Sequence, residues 1–428
     1  MTDRPTADCD VAIVGAGVAG LAAATTLAAA GQTAIVLEAS ERVGGRAWTV
    51  HPPSLGGAWF DMGALWLHAA ERNPLVAIAE RAGEKLNRAA EMRQERTFVG
   101  TRPADPAELA DYETAWDRFT AKADELLSSS DPPLAAVAAH LAHDPWALTV
   151  EAWEGPVICA ADAADFSLRD WRTNALSGSN LVPEGGIGAF VSRRLSPGLD
   201  IRLATQVLRI FWHGPGDGRV TLETNAGTIR ARSAIVTVST GVLAAGALAF
   251  DPALPAAHQA AIAALPMGLA TKIVLPAQTQ DRLDLPPHCL VDHRVEKAGE
   301  PMMIFQCWPY GRDYVQGWVG GRIAWALARK GDEAVADFAR AELRRLFGAR
   351  VDRLFGPAAL VTHWESDPWV RGAYCYARPG EAASRARLAE PLAGGRLIFA
   401  GEACHEGLAG TLGGAWESGE RAARLAIQ

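Results

Sequence analysis

The stretch Val11–Arg46 leaves this chain little freedom in how it folds. Four apolar residues, Val11–Val14, run into Gly15-x-Gly17-x-x-Gly20; an alanine-rich segment continues to Ala30, and a second apolar run, Thr33–Leu37, ends on Glu38. The order strand, helix, strand is the opening βαβ unit of a parallel sheet. Gly15 permits a tight turn, Gly17 lets bare backbone approach a pyrophosphate, and Gly20 lets helix and strand pack closely, with the positive end of the helix dipole aimed at the phosphates. Glu38 falls where a carboxylate accepts both ribose hydroxyls. The chain is therefore expected to bind a dinucleotide.

Val11–Ala30 is also a run of twenty residues without a charge, long enough to span a bilayer. The glycine register argues for a nucleotide turn instead, and the lead-in with Asp3, Arg4, Asp8 and Asp10 lacks the basic region and cleavage site of a secretory signal. A net charge of −8, from 49 acidic against 41 basic residues, gives no electrostatic footprint for nucleic acid. The 428 residues, 49% of them hydrophobic, are enough for two or more lobes around sizeable cores. Cys9, Cys159, Cys289, Cys307, Cys375 and Cys404 are scattered, without a C-x-x-C pair. Free thiols in a reducing cytoplasm, and no metal site, are expected.

Directly after Glu38 comes Arg42-Val43-Gly44-Gly45-Arg46, two glycines exposing amides between two arginines suited to phosphate. NAD-dependent dehydrogenases do not usually carry this second element. With it the sequence resembles the flavin-containing amine oxidase family, which includes monoamine oxidases, polyamine oxidases and the related histone lysine demethylases. The resemblance implies FAD, with Gly15, Ala16, Gly17, Gly20 and Gly45 around the phosphates and Arg46 on the pyrophosphate. It also implies an α/β fold, a Rossmann-like FAD-binding domain interleaved in sequence with an α+β substrate domain. We expect the first to comprise residues 1–73, 184–265 and 388–428, and the second 74–183 and 266–387.

Further along, Gly56–His68 is punctuated by glycines and aromatics, and Asn73-Pro74 follows. It resembles the family's loop against the flavin ring, which places Gly63, Ala64, Leu65 and Trp66 at the cofactor and His68 in the substrate channel. L-amino-acid oxidases have an arginine where this chain has Trp66, which counts against an α-amino-acid substrate. From Pro74 to about Pro183 the pattern is helical, with Leu75, Ile78, Ala79 and Ala82 on one face; Trp146, Trp153, Phe166 and Trp171 read there as core aromatics rather than channel walls. Short strands are expected at Gln206–Ile210, Val220–Thr224, Thr228–Ala231 and Ala234–Val238, a meander in which the resemblance puts the Val207 backbone on the adenine.

Met267–Leu275 is a strand with one lysine among apolar neighbours, and it matches the family strand whose lysine holds a water at flavin N5; Lys272 is the candidate. His363–Tyr376 is close to the family pattern W-x-x-D-P-W-x-x-G-x-Y, so Trp364, Trp369 and Tyr374 are expected around the flavin. The last strand, Arg396–Ala400, leads to Gly401-Glu402, and Gly410–Ala415 opens a helix to Ile427. This matches the second FAD fingerprint, with Glu402 near the ribityl and pyrophosphate, the amides of Thr411 and Leu412 at the flavin and Ala415 beside them. Monoamine oxidases bond the flavin through a cysteine where this chain has Ala373, so the FAD is expected to be non-covalent. They also carry an anchor beyond the position of Gln428, so a soluble, cytoplasmic protein is expected.

The resemblance implies oxidation of a small amine, with transfer of hydride to flavin N5 and reduction of O2 to H2O2. Freeing the nitrogen lone pair of an alkylammonium at pH 7 costs roughly 4–5 kcal/mol, and burial among aromatics lowers that cost. Monoamine oxidases flank the amine with two tyrosines; here one matches Tyr374 and the other is replaced by Thr411. That widening, with His68, suggests a polyamine-like substrate. A C–C desaturase or tetrapyrrole oxidase, and a demethylase-like peptide-binding flavoprotein, are the alternatives, and monomer and homodimer are both open.

Overall fold

The computed structural model describes residues 8–88, 93–213 and 218–428; Asp3 and Arg4 of the acidic lead-in lie outside the described residues. Strands Asp200–Arg202, Ala34–Leu37, Cys9–Val14, Gly227–Val236 and Leu397–Phe399 lie side by side in that order, all parallel. Val11, Ala12, Ile13, Val36 and Ile235 are fully buried, as a parallel sheet covered on both faces requires. Helix Val18–Ala29 covers one face, and the final helix Leu412–Ile427 crosses it closely: a Cβ on Gly419 would stand 2.1 Å from the Ala19 carbonyl oxygen. From Cys9–Val14 the strand order departs in two directions, to Ala34–Leu37 on one side and Gly227–Val236 on the other. A crevice opens beyond the carboxyl ends of strands at such a reversal, and Gly15 sits there.

Two strands were expected where one ten-residue strand, Gly227–Val236, is found. Its exposed Arg230 and Arg232 alternate with buried Ile229, Ala231 and Ser233, so polar residues interrupt the apolar pattern without interrupting the ladder. Its first half pairs antiparallel with Val220–Thr224, and that strand with Val207–Phe211, which makes the meander. Asp200–Arg202 was not foreseen; it is an edge strand with two exposed residues and no apolar period.

The second sheet orders Leu360–Val361, Ala270–Pro276, Tyr314–Gly320, Ile304–Cys307, Cys289–His293, Glu95–Val99 and Arg102–Pro103. Helix Asp332–Phe347 packs its Val335, Ala339 and Leu343 into the core with Ile273 and Val319. The helical reading of residues 74–183 needs correction at Glu95–Val99 and Arg102–Pro103, which complete this sheet. Glu95–Val99 finds its partner Cys289–His293 far along the chain, and its two exposed charged residues followed by two buried ones show no period of two. Leu86–Asn87 and Val182–Pro183 pair as two further short strands, and the helices of the stretch are Pro74–Arg81, Pro106–Leu127, Ala135–His140, Ala147–Ala152 and Leu168–Thr173, with a π-helical segment, Trp153–Cys159, between the last two. Pro156 lies inside that segment, where its missing N–H favours departure from α-helical bonding. Among the described residues no helix is long and apolar enough to cross a membrane.

Candidate active site

The crevice opens into a cavity of about 1100 Å3 lined at one end by Leu37, Glu38 and Val207, further on by Lys272, Trp364 and Tyr374, and beyond them by Glu154, Trp171 and Asp292. Its first end is made of backbone. Gly15 has φ +104°, and a Cβ on Gly20 would lie 1.9 Å from the Gly15 carbonyl oxygen. A Cβ on Gly17 would meet nothing within 4 Å. The fold itself demands the outer two glycines, whereas the middle one is bare toward the cavity at the N-terminus of Val18–Ala29. Ala16 is fully buried and Gly20 packs behind the turn, so neither lines the cavity. The Gly44 amide donates to the Ala16 carbonyl at 2.8 Å, and Gly45 stands over the Gly17 Cα. The Arg42–Arg46 loop thus docks on the first turn. Glu38 is buried and accepts from the Ala16 amide at 2.7 Å and from the Ser40 amide and hydroxyl at 2.8 and 2.7 Å.

Arg46 Nη1 donates to Glu402 Oε1 at 2.9 Å and to the Ala373 carbonyl at 2.8 Å. Glu402 also accepts from the amides of Cys375 and Gly410, each at 3.1 Å. The Arg46 guanidinium and these donors outweigh its burial and hold its carboxyl below the usual range. Gly401, Leu412 and Ala415 line the same wall. Thr411 is buried at the N-cap of the last helix; its hydroxyl donates to the Leu408 carbonyl at 2.7 Å and accepts from the Gly414 amide at 3.0 Å.

Lys272 faces the cavity from its strand opposite Trp318. Its ammonium donates to the main-chain carbonyl of Asp61 at 2.9 Å and to that of Gly63. Burial pushes its pKa down to about 7, against the opposing charge of Asp61. Gly63 admits no side chain, because a Cβ would lie 1.7 Å from the Arg46 carbonyl oxygen. Ala64, Leu65, Trp66 and His68 continue along the wall. His68 Nδ1 and Asn180 Oδ1 are 2.8 Å apart, and burial lowers the imidazole pKa. Asn73 caps helix Pro74–Arg81 and donates to the His68 carbonyl at 2.9 Å. Trp364 is buried and donates to the Met62 carbonyl at 3.2 Å; Trp369 is partly buried at the cavity edge. Tyr374 donates to the Ile158 carbonyl at 2.6 Å, and burial raises its phenol pKa. Trp146 is core, stacked on Tyr112 at 4.5 Å. Trp153, Phe166 and Trp171 were read as core, and they also line the cavity.

Sequence reasoning missed the carboxylates. Glu154 lines the cavity, accepts from Trp171 Nε1 at 2.7 Å and has its pKa raised by burial. Asp292 accepts from Tyr112 and Trp153 at 3.1 and 2.9 Å, with the same shift from the same cause. Asp170 and Arg385 form a buried pair at 2.6 Å. The available signal for Glu154 was an acid directly before Gly155-Pro156 in an apolar helical stretch; the other three are far apart in sequence and gave none.

Fold and site define a dinucleotide-dependent oxidoreductase. The profile of flavin containing amine oxidoreductases matches residues 18–154 and 107–427. Polyamine oxidase 4 of Oryza sativa subsp. japonica is 30% identical over 454 aligned positions, covering 96% of this chain and 87% of that protein. Lysine-specific histone demethylase 2 of Homo sapiens is 27% identical over 449, covering 96% of this chain and 53% of the demethylase. The structure of wild-type putrescine oxidase bound to putrescine superimposes with a TM-score of 0.78 over 99% of this chain and 100% of that one, at 20% identity, a likeness of fold. The chain belongs to the family of flavin-containing amine oxidoreductases. It is a flavoprotein enzyme of that class, and its cofactor is FAD. The bare Gly17, the Glu38 carboxylate and the wall of Trp364 and Tyr374 along one cavity fit that group.

Proposed function

We propose that the enzyme oxidises a linear aliphatic di- or polyamine to an imine, which water hydrolyses to an aldehyde, while O2 is reduced to H2O2. FAD, when bound, supplies the hydride acceptor and the centre at which O2 reacts. The observation that carries this reading is that Glu154 and Asp292, both in the cavity of Lys272 and Tyr374, form no ion pair among the described residues. A buried carboxylate without a cation is poorly stabilised; an ammonium group of the substrate restores its ionised form. An apolar polyene, the substrate of a desaturase, offers nothing to these groups.

In this reading the amide face at Gly17 and the arginine loop bearing Arg46 hold the pyrophosphate. Glu38 takes the ribose, the Val207 backbone takes the adenine, and Glu402 with the Thr411–Ala415 turn holds the flavin end. Lys272 fixes a water at the ring. Tyr374 forms one wall beside the reacting nitrogen and Thr411 the opposite, wider one; Trp369 and His68 bound the entrance. Burial between the Tyr374 and Thr411 walls favours the neutral amine, whose lone pair assists loss of the α-C–H as hydride.

The test is kcat/KM for spermidine, putrescine, benzylamine and phenylethylamine with H2O2 as the readout, since that ratio reports differential binding of transition states. The aliphatic amines should lead by about tenfold or more. A preference for benzylamine or phenylethylamine overturns the polyamine assignment, and absence of H2O2 with every amine overturns the oxidase assignment.

A further inference from the structure

Glu402 ties together two loops that are remote in sequence, holding the amides of Cys375 and Gly410 from the cofactor side. The same two loops are tied a second time from the helical layer. Asp170 Oδ2 accepts from the Ala377 amide at 2.9 Å, and its carboxylate takes Arg385 Nε and Nη2 at 2.6 and 2.7 Å. Arg385 Nη2 in turn donates to the Cys375 carbonyl at 3.2 Å. Asn174 lies four residues on, the spacing that puts two side chains on one helix face. It donates to the Asp170 carboxylate at 3.0 Å and accepts from the Ala409 amide at 2.7 Å. One face of a short helix therefore grips the segment after Tyr374 and the segment before Gly410 and Thr411. Those segments carry the two walls between which the amine is proposed to sit, and the site of a Gly410 Cβ lies 3.5 Å from the Tyr374 ring.

We infer that Asp170 and Asn174 are positioning residues that fix the gap between the Tyr374 wall and the Thr411 wall; the inference rests on the amine-oxidising reading of this cavity. Apolar side chains of similar volume would join the helical layer to the loops without setting a direction, and burying an ion pair is not by itself a source of stability. What the pair and the amide supply is geometry: three directional bonds to backbone groups, at Cys375 and Ala377 on one side of the gap and Ala409 on the other, with Asp170 and Arg385 each 2% exposed. A shift of the walls misaligns the reacting C–H, to which the rate is steeply sensitive.

The holoenzyme of Asn174→Ala keeps the ion pair and tests the clamp with the least disturbance. Its rate of flavin reduction by the best amine should fall about tenfold at 25 °C, with the amine's KM little changed and the visible circular dichroism of the flavin altered. Asp170→Asn should fall further, and combined with Tyr374→Phe its effect on the rate should be less than additive, because both act through one wall. Additive effects and an unchanged flavin dichroism band in Asn174→Ala overturn the inference, leaving the cluster as a tie between layers only. If Asp170→Asn does not fold, the cycle of Asn174→Ala with Tyr374→Phe decides by the same criterion. If no amine reduces the flavin, the functional reading has failed; the dichroism of Asn174→Ala and Tyr374→Phe still decides whether the clamp sets the wall.

Discussion

The two ends of the cavity are built in opposite ways. Around Gly15–Arg46 the wall proposed to hold the cofactor is largely main chain: a positive-φ turn, a bare glycine at a helix N-terminus and a second glycine loop docked on the first. At the other end the groups are side chains from widely separated segments, Lys272, Tyr374, Glu154 and His68, each oriented by a long-range bond such as that from Lys272 to the Asp61 carbonyl. A backbone grip fixes what is bound for every member that keeps the turn. A side-chain site leaves substrate choice open to single substitutions.

The contrast can be broken most sharply at Lys272. Lys272→Met should retain FAD yet slow turnover by about 10²–10⁴-fold; stopped-flow traces of flavin reduction and reoxidation show which half-reaction is hit, and unchanged traces in both remove Lys272 from the site. Its titration gives a second handle. The folded pKa of about 7 lies below the ordinary 10.5, so between those values the unfolded chain holds a proton that the folded chain has released. Stability contributed at this position then rises with pH across that window, and the FAD-free wild type should gain on Lys272→Met in denaturant midpoint from pH 7 to pH 10.

At the opposite end Gly17→Ala should fold, since its Cβ meets nothing, but bind FAD roughly a hundredfold more weakly by titration of the apoprotein, because the methyl stands where the pyrophosphate approaches. An unchanged affinity would mean the cofactor does not use that face. Glu154→Gln should raise KM for a diamine about tenfold and leave a monoamine of equal length unaffected; equal effects on both would place Glu154 outside the substrate's reach. The smallest effect is expected at Cys375, whose Sγ lies 3.1 Å from Arg385 Nη1 and whose thiol is pushed up by burial. Cys375→Ser should change neither flavin content nor release, and acid precipitation of the wild type should leave the yellow colour in the supernatant; colour in the pellet would reveal a covalent link.

What could be read from the sequence followed the same divide. The βαβ opening, the Lys272 strand and the helix Leu412–Ile427 show in local pattern, since neighbouring residues alone impose their turns and periods. Glu95–Val99 did not, because it carries no alternating pattern and is defined by its distant partner. The carboxylates at Glu154, Asp170 and Asp292 lie in ordinary-looking stretches; Glu154 and Asp292 become unusual only when folding removes them from water and from cations, and Asp170 only when folding brings Arg385 to it. The replacement of a tyrosine by a threonine at 411 was legible, but not that the hydroxyl closes its own helix cap.

The lysine ammonium rests on main-chain carbonyls at 61 and 63, not on side chains. Exchanging Ala64, Trp66 or His68 therefore leaves its seat untouched. For an engineer this separates a fixed lysine seat from an adjustable rim: libraries confined to those three positions sample new cavity walls while keeping the placement of the Lys272 ammonium, and Gly63, which has no room for a methyl, marks the boundary that such libraries must not cross.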